Sequence, residues 1–338
     1  MLRQKICRRQ FGLSLAAVLA SAPLARAQGV VGTRTLRIGL ITPPPHNWTR
    51  TAAAFGEALA EASDGRLSLS VFPSGQLGNE SQMLQLLQIG ALDFGFFTTS
   101  QFANRLNAFA AFYTPYVARD AGHAAAILQA PVTRDILQDV ERIGLHGLGF
   151  GMAGMRQIVS SRQIDEISDL KGLKTRVVPD APLTDFWRLV GAAPSPIPLS
   201  SLYDAFANGQ IDAMHIDFEN TLRLKFYTHA RDILHTDHMI FPMAAVASRR
   251  SWQSFSSADQ EMIQSLLDDK LATLRGLYAE ADLQFRDELI ALGANVKRFE
   301  AGWMHEAAGA WERRWTSRTP YIAALKSAAQ ALPTGEGT

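Results

Sequence analysis

The sequence has 338 residues, of which 47% are hydrophobic, and it carries 33 Lys and Arg against 32 Asp and Glu. This is the composition of an ordinary globular chain of about two domains, and a formal charge of +1 gives no reason to expect nucleic-acid binding. Its single cysteine excludes a disulfide framework and any zinc site built from several cysteines.

The first 27 residues have the three-part pattern of a secretory signal peptide. A basic segment ends at Arg9, an apolar run covers residues 11–20, and an A-x-A cleavage site ends at Ala27. The arginine pair that ends at Arg9 leaves both the general and the twin-arginine export routes open. Cleavage would leave 28 Lys and Arg against 32 Asp and Glu. It would also remove Cys7, and a mature chain without cysteine suits the oxidising periplasm. No later run is long and apolar enough to predict direct membrane insertion.

Short strands alternate with amphipathic helices in the next part of the chain. The predicted strands are residues 36–41, 67–72, 92–97, 145–150, 174–178 and 211–215. The predicted helices are residues 49–62, 79–87, 182–190 and 199–207. This alternation predicts two α/β units with parallel strand pairing, the second of which starts near residue 150.

The part of the chain from Pro242 to Pro320 has no internal proline and is predicted to be all helical. A capping box over residues 257–260 begins a helix, and hydrophobic residues follow at helical spacing to Gly293. A helix of about 35 residues is roughly 50 Å long. We therefore expect it to bridge both α/β units or to lie along them.

A G-x-G-x-x-G pattern formed by Gly149, Gly151 and Gly154 matches the dinucleotide-binding motif in letters only. The segment that follows it reads as extended where a helix should begin, and Arg176 stands where an acidic residue is needed. We interpret the pattern as a flexible crossing between the two units. No cofactor is predicted.

The remaining polar patterns do not predict catalysis or metal binding. The pair His235 and His238, with Asp237 between them, is compatible with a metal but more typical of solvated loops. Asp217 and Glu219 are close in sequence, yet nothing marks them as an acid/base pair. We predict neither a metal site nor a catalytic constellation.

Two arginines are more informative. Arg156 and Arg176 each lie in a short extended segment, and Arg176 begins a strand that is expected to be buried. A buried guanidinium needs an anionic partner, and its planar fork fits a carboxylate. An internal Asp or Glu and a bound carboxylate are equally compatible with these residues.

Eight segments form a specific pattern in their order and spacing. They are residues 72–78, 88–94, 169–177, 191–194, 202–206, 209–213, 225–227 and 251–252. With these segments the chain resembles, over roughly residues 35–325, the DctP-like solute-binding proteins of tripartite ATP-independent periplasmic (TRAP) transporters. The resemblance implies an α/β, periplasmic-binding-protein-like fold with two α/β domains around a ligand cleft, a long bridging helix and C-terminal helices.

The expected domain limits follow from this resemblance and from the predicted elements. Domain I covers residues 28–153 and about 242–281, and domain II covers about 154–241 and about 282–309. A C-terminal helical segment covers about 310–338, and residues 1–27 are the signal peptide.

The resemblance also implies a ligand site. Arg176 corresponds to the arginine that binds the ligand carboxylate in the family, and Arg156 corresponds to a second arginine that assists it. The other candidates for ligand binding are His46, Asn47, Trp48, Asn79, Thr98, His215, Ile216 and Asp217.

The chain departs from the family pattern at several of these positions. Ile216 stands where the family often has an asparagine, so His215 or Asp217 is expected to supply the polar contact. Asn79 and Thr98 stand where some members have acidic contacts. These departures indicate a ligand with fewer polar groups than a sialic acid or a uronate. Four aromatic residues are expected either to wall the cleft or to belong to the core: Trp48, Phe96, Phe97 and Trp187.

The resemblance implies a periplasmic protein that captures a small organic-acid carboxylate and delivers it to the small and large TRAP membrane subunits. One alternative is a periplasmic ligand-sensing module that docks on a receptor. The other is a secreted enzyme that acts on an organic acid, although no nucleophile, metal or acid/base pair stands out.

Overall fold

The structure is a computed structural model that describes residues 33–333. The expected signal peptide and Cys7 lie outside the described residues. The first half of the described chain contains β1 (Arg34–Leu40), α1 (Asn47–Ala62), β2 (Leu67–Phe72), α2 (Glu80–Ile89), β3 (Phe94–Thr98), α3 (Ser100–Ala103), α4 (Ala121–Ile127), α5 (Pro131–Gln138), β4 (Leu145–Met155) and β5 (Gln157–Ser160).

The second half begins with a further alternation of strands and helices. It contains β6 (Lys174–Val177), α6 (Ala181–Val190), β7 (Ala193–Pro196), α7 (Leu202–Ala207), β8 (Ala213–Ile216), α8 (Phe218–Arg223), β9 (Asp232–His235), β10 (Ile240–Ser248), α9 (Arg249–Gln253), α10 (Ser257–Ala291), β11 (Val296–Arg298), α11 (His305–Trp315) and α12 (Tyr321–Ala331). No helix within residues 33–333 is both long and apolar enough to cross a membrane.

The strands form two sheets. The first has the order β2-β1-β3-β10-β4, with β1 parallel to β2 and β3, and β10 antiparallel to β3 and β4. The second has the order β11-β9-β5-β8-β6-β7, with β6 parallel to β7 and β8. We call the first sheet with its helices lobe I, and the second with its helices lobe II. The predicted α/β class is confirmed.

Local sequence explains why the cleft-facing elements of lobe I form. Leu36, Ile38 and Leu40 alternate along β1 and are fully buried, as a strand requires. Asn79 caps α2 by accepting the Gln82 N–H, while the Gln82 side chain accepts the Asn79 N–H. Because α2 follows the turn after β2, its first residues lie near the end of that strand.

The strand pair β4–β5 crosses from lobe I to lobe II. All three glycines of the G-x-G-x-x-G pattern lie within β4, and the next element is a strand rather than a helix. Gly154 has a φ of +71°, and a Cβ there would collide with the carboxylate of Asp282 from α10. The same carboxylate accepts the Met155 N–H at 3.2 Å. The long helix is therefore attached to the crossing itself.

Helix α10 has 35 residues and packs against both lobes, which confirms the predicted long helix. It contacts α1 and β4 of lobe I, and it contacts α8 and β11 of lobe II. The predicted capping box is misplaced by one residue. Ser256 is the N-cap, because it has extended backbone angles and its hydroxyl accepts the Asp259 N–H at 3.1 Å.

The prediction that the chain beyond Pro242 is all helical is wrong. β10 runs through that proline and lies inside the first sheet, between β3 and β4. The pairing with β4 is irregular between Ile240 and Pro242, which lets the strand accommodate a residue without an N–H. β11 is a short edge strand of the second sheet. The C-terminal helices divide between the lobes, with α11 packed on α6 and α12 on α4 and α5.

Candidate functional site

A cavity of about 510 Å³ lies between the two lobes, which is a size suited to a small molecule. Lobe I contributes the start of α1, the start of α2 and the end of β3 with α3. Lobe II contributes the ends of β6 and β8, and residues 198–200. Arg156 and Phe241, which lie at the two strand crossings between the lobes, complete the wall.

Arg176 lies on β6 and is only 3% exposed. Its Nε donates to the Ile197 carbonyl at 2.8 Å, and it forms no ion pair with any carboxylate of residues 33–333. Burial, together with the neighbouring Arg156, lowers the pKa of the guanidinium to about 9. A carboxylate in the cavity would offset both effects. Of the two partners that the sequence left open for Arg176, the internal one is thus absent from the described chain.

Arg156 is different because it has an internal partner. Its Nη1 donates to Asp217 Oδ2 at 2.5 Å, and its guanidinium carbon lies 3.2 Å from the centroid of the Phe241 ring. Burial lowers its pKa to about 10, although the Asp217 carboxylate opposes that shift. Arg156 reaches the cavity wall while its charge is largely balanced from behind.

Asp217 and His215 lie behind the cavity wall, contrary to the expectation that one of them contacts the ligand. The Asp217 carboxylate binds Arg156 and caps α8 by accepting the Asn220 N–H at 2.8 Å. His215 is fully buried and its Nδ1 lies 3.1 Å from Nε2 of His238. Ile216, which lies between them in β8, does line the cavity and makes that part of the wall apolar.

Asn220 supplies a polar group that the sequence analysis missed. It lines the cavity from α8, four residues beyond Ile216 in the chain. Its Nδ2 donates to the Asp217 carboxylate, and its buried Oδ1 has no hydrogen-bond partner within residues 33–333. An amide therefore does reach the cavity from this side. No pattern in the sequence marked it, because Ile216 ends strand β8 and Asn220 lies in the helix that follows.

The first loop contributes two of its three predicted residues. His46 and Trp48 line the cavity, whereas Asn47 does not. The backbone N–H of Asn47 donates to Glu219 of lobe II at 2.9 Å. His46 caps α1 by accepting the Trp48 N–H, and burial lowers its pKa to about 4, so the ring is neutral at pH 7.

Asn79 and Thr98 both line the cavity, but the acidic group beside them is Glu80. Thr98 donates its backbone N–H and its hydroxyl to the two carboxylate oxygens of Glu80, at 2.6 and 2.7 Å. Burial raises the pKa of Glu80 to about 7, although these hydrogen bonds oppose the shift. The acidic contact is thus present one residue away from the position that the sequence analysis considered.

One of the four aromatic residues considered for the cleft wall lines the cavity. Trp48 lines the cavity, with its Nε1 held by the Met152 carbonyl at 2.7 Å. Phe96, Phe97 and Trp187 are buried in the core. Phe241 lines the cavity instead and stacks under Arg156.

The described residues 33–333 contain no group of three or more His, Cys, Asp or Glu side chains that could hold a metal ion. His235 is bound to Asp237 at 2.8 Å, whereas His238 contacts His215 and Thr236. The two histidines therefore serve different neighbours. Chemically, the cavity offers an anion-binding group at one place and hydrogen-bonding groups around it.

Comparisons with known proteins show the family to which the chain belongs. The model of the family "Bacterial extracellular solute-binding protein, family 7" (DctP) matches residues 38–317. The sialic acid-binding periplasmic protein SiaP of Vibrio cholerae is 26% identical over 283 residues, which are 82% of this chain and 87% of that protein. The 2,3-diketo-L-gulonate-binding periplasmic protein YiaO of Escherichia coli is 26% identical over 267 residues, 79% of this chain and 81% of that protein.

Solved structures show the same fold. The sugar acid binding protein DctPAm of Advenella mimigardefordensis, in complex with galactonate, has a TM-score of 0.85 at 22% identity and covers 88% of this chain and 98% of its own. A TRAP periplasmic solute-binding protein from a Bradyrhizobium species, in complex with galacturonate, has a TM-score of 0.82 at 27% identity. It covers 88% of this chain and 100% of its own.

Proposed function

The chain belongs to family 7 of the bacterial extracellular solute-binding proteins, and on that premise we propose that it captures a small hydroxylated organic acid. The observation that carries the proposal is Arg176, a buried guanidinium at the cavity wall without an internal carboxylate partner. A buried charge without a counter-charge is costly. A ligand carboxylate removes that cost through two parallel charge-assisted hydrogen bonds.

Arg156 supports the same carboxylate as a second, weaker contact. Its Nη1 is committed to Asp217, and its Nε is buried without a hydrogen-bond partner within residues 33–333. The ion pair with Asp217 fixes the guanidinium plane against Phe241. Arg156 is therefore suited to orienting a ligand, whereas Arg176 supplies the uncompensated charge.

The hydroxylated part of the ligand is inferred from the polar wall. Glu80 retains acceptor capacity beyond the two hydrogen bonds from Thr98, because a carboxylate accepts about four. Asn220 offers a free buried amide oxygen, which is also an acceptor. Acceptors of this kind select ligand hydroxyl groups. This revises the sequence-based expectation of a ligand with few polar groups, since the polar contacts come from neighbouring positions.

The relatives named above are described as binding sialic acid, 2,3-diketo-L-gulonate, galactonate and galacturonate. All four are carboxylates that carry hydroxyl groups, which supports the same ligand class for this chain. We further propose that the protein works in the periplasm after cleavage near Ala27, and that it delivers its ligand to the small and large TRAP membrane subunits. Lobe I and lobe II would then move as the two domains expected from the sequence and close on the ligand.

The proposal is tested by a thermal-shift screen of residues 28–338 against galacturonate, galactonate, sialic acid, succinate and an aromatic acid, each beside its methyl ester. A ligand at a hundred times its dissociation constant stabilises the fold by about 2.7 kcal/mol, which moves the midpoint by several degrees. We expect a hydroxylated acid to stabilise the protein and its ester to have no effect. An ester that stabilises as well as its acid contradicts carboxylate recognition. A succinate response above that of every hydroxylated acid contradicts the hydroxylated class.

A pocket that is already occupied on purification is detected separately. The protein is denatured, and the released small molecules are identified by mass spectrometry before the screen is repeated on the refolded chain. Release of a neutral compound instead of an acid also contradicts the proposal.

A further inference from the structure

One side-chain amide joins the two lobes beside the cavity. Asn104 follows α3 in lobe I and is exposed. Its Nδ2 donates to the Pro179 carbonyl at 2.7 Å, and its Oδ1 accepts the Ala181 N–H at 3.2 Å. Both partners belong to lobe II, Pro179 in the loop between β6 and α6 and Ala181 at the first position of α6. A single residue of one lobe thus uses both ends of its amide on the backbone of the other.

The lobe II partners are well defined by their own local structure. Ala181 is the first residue of α6, so its N–H has no acceptor within the helix. The N-cap, Asp180, satisfies a different N–H, that of Leu183, at 2.7 Å. Asn104 therefore completes the capping of a helix that belongs to the opposite lobe.

The bridge lies between the cavity and the outside. Asn104 and Pro179 line the cavity, and they also line an outer groove of about 350 Å³. Asn104 and Pro179 therefore form a partition between the cavity and the outer groove. On the lobe II side of this partition, Pro179 lies three residues after Arg176, in the loop that follows β6.

We propose that Asn104 is a clasp that holds the two lobes together at the mouth of the cavity. Both hydrogen bonds must break when lobe I and lobe II separate. The separated groups regain hydrogen bonds to water, so each contact has a modest net effect and the pair shifts the open-to-closed ratio by about tenfold. No ligand atom takes part. The clasp therefore favours closure in the ligand-free protein and slows the escape of a bound ligand.

The first test measures the distance between the lobes without ligand. Residues 28–338 contain no cysteine, so Gln85→Cys on α2 and Asp204→Cys on α7 give two spin labels on opposite lobes. Pulsed electron–electron double resonance then reports the populations of short and long distances between the two labels. In the doubly labelled protein, Asn104→Ala is expected to raise the ratio of long to short distances about tenfold. Identical distance distributions with and without this substitution overturn the proposal.

Two further variants separate the clasp from general effects on folding. Asn107→Ala changes another exposed asparagine of the same segment and is expected to leave the distances unchanged. Asn104→Asp keeps an acceptor for the Ala181 N–H but loses the donor to Pro179, and it is expected to open the lobes less than Asn104→Ala does. A distance change in Asn107→Ala equal to that in Asn104→Ala also overturns the proposal.

The consequence for ligand retention rests on the proposed function, and it is measured with galacturonate in stopped-flow displacement. Asn104→Ala is expected to raise the dissociation rate about tenfold, and an unchanged rate overturns the retention part. Failure of every acid to bind would refute the proposed function, while the ligand-free distances would still decide the clasp.

Discussion

Replacing Arg176 by Gln tests the site through the protein rather than through the ligand. Removing one partner of a buried, hydrogen-bonded ion pair costs roughly 3–5 kcal/mol. Glutamine keeps some hydrogen-bonding capacity and leaves room for water, so the lower end applies. We expect the affinity for the identified acid to fall at least about a hundredfold, since 1.4 kcal/mol is a factor of ten.

The effect on the ligand-free protein should have the opposite sign. Arg176 is buried without an internal ion pair, and burial lowers its pKa to about 9. Folding therefore places this charge in an unfavourable environment, and a neutral residue removes that penalty. The Tm of ligand-free Arg176→Gln is expected to equal or exceed that of the parent. Replacing an arginine that stabilises the fold would lower the Tm, whereas replacing a ligand anchor lowers the affinity and leaves the Tm unchanged or higher.

Isothermal titration calorimetry measures the affinity, and differential scanning calorimetry measures the ligand-free Tm. Arg105→Gln is the matched control, because Arg105 is exposed and follows α3 outside the cavity lining. Affinity within threefold of the parent in Arg176→Gln would refute the assignment of the anchor. So would a Tm lower by many degrees, since it would mean that Arg176 stabilises the fold through a partner inside the protein.

Three other substitutions have expected outcomes that follow from the same structure. Arg156→Gln leaves the buried Asp217 carboxylate without its cation, so the fold should lose roughly 3–5 kcal/mol in urea unfolding. Glu80 has a pKa raised from 4.5 to about 7, so its contribution to stability is present below pH 4.5 and is lost as the pH rises through 7. Compared with that of Glu80→Gln, the parent's free energy of unfolding should therefore fall by up to about 3 kcal/mol between pH 4.5 and 8. Parallel dependence of the two unfolding free energies on pH would contradict the raised pKa. Gly154→Ala should destabilise more than Gly172→Ala, because both have positive φ but only the first collides with a neighbour, and equal losses of Tm would show that backbone conformation alone matters.

The fold was largely predictable because it depends on patterns that are local. The alternation of strands and helices before residue 216, and the heptad-like spacing along α10, are visible in single segments. β10 was missed because the proline-free sequence after Pro242 was interpreted as helical, and the irregular pairing with β4 accommodates the proline in the strand. The cap at Ser256 was misplaced because two serines are adjacent at the start of α10, and the backbone angles that make one of them the N-cap are a property of the folded chain.

The site was less predictable because it depends on distances between segments far apart in the chain. The resemblance pointed to Arg176, and only the structure shows that it has no ion-pair partner within residues 33–333 whereas Arg156 has one. No sequence pattern links residue 156 to Asp217, which lies 61 positions away. The difference between the two arginines is therefore a tertiary property, although it decides which of them supplies the free charge.

The two residues that were missed, Glu80 and Asn220, share a physical explanation. Glu80 lies one residue beyond Asn79, and Asn220 lies four residues beyond Ile216. A cavity wall requires a chemical group at a place in space, and neighbouring residues on a helix can reach that place from a different Cα. Loss of a polar residue at a family position is therefore weak evidence that the polar contact is lost. Here a glutamate on α2 and an amide on α8 line the cavity close to those positions, and the proposed preference for a hydroxylated acid rests on them rather than on the aligned positions.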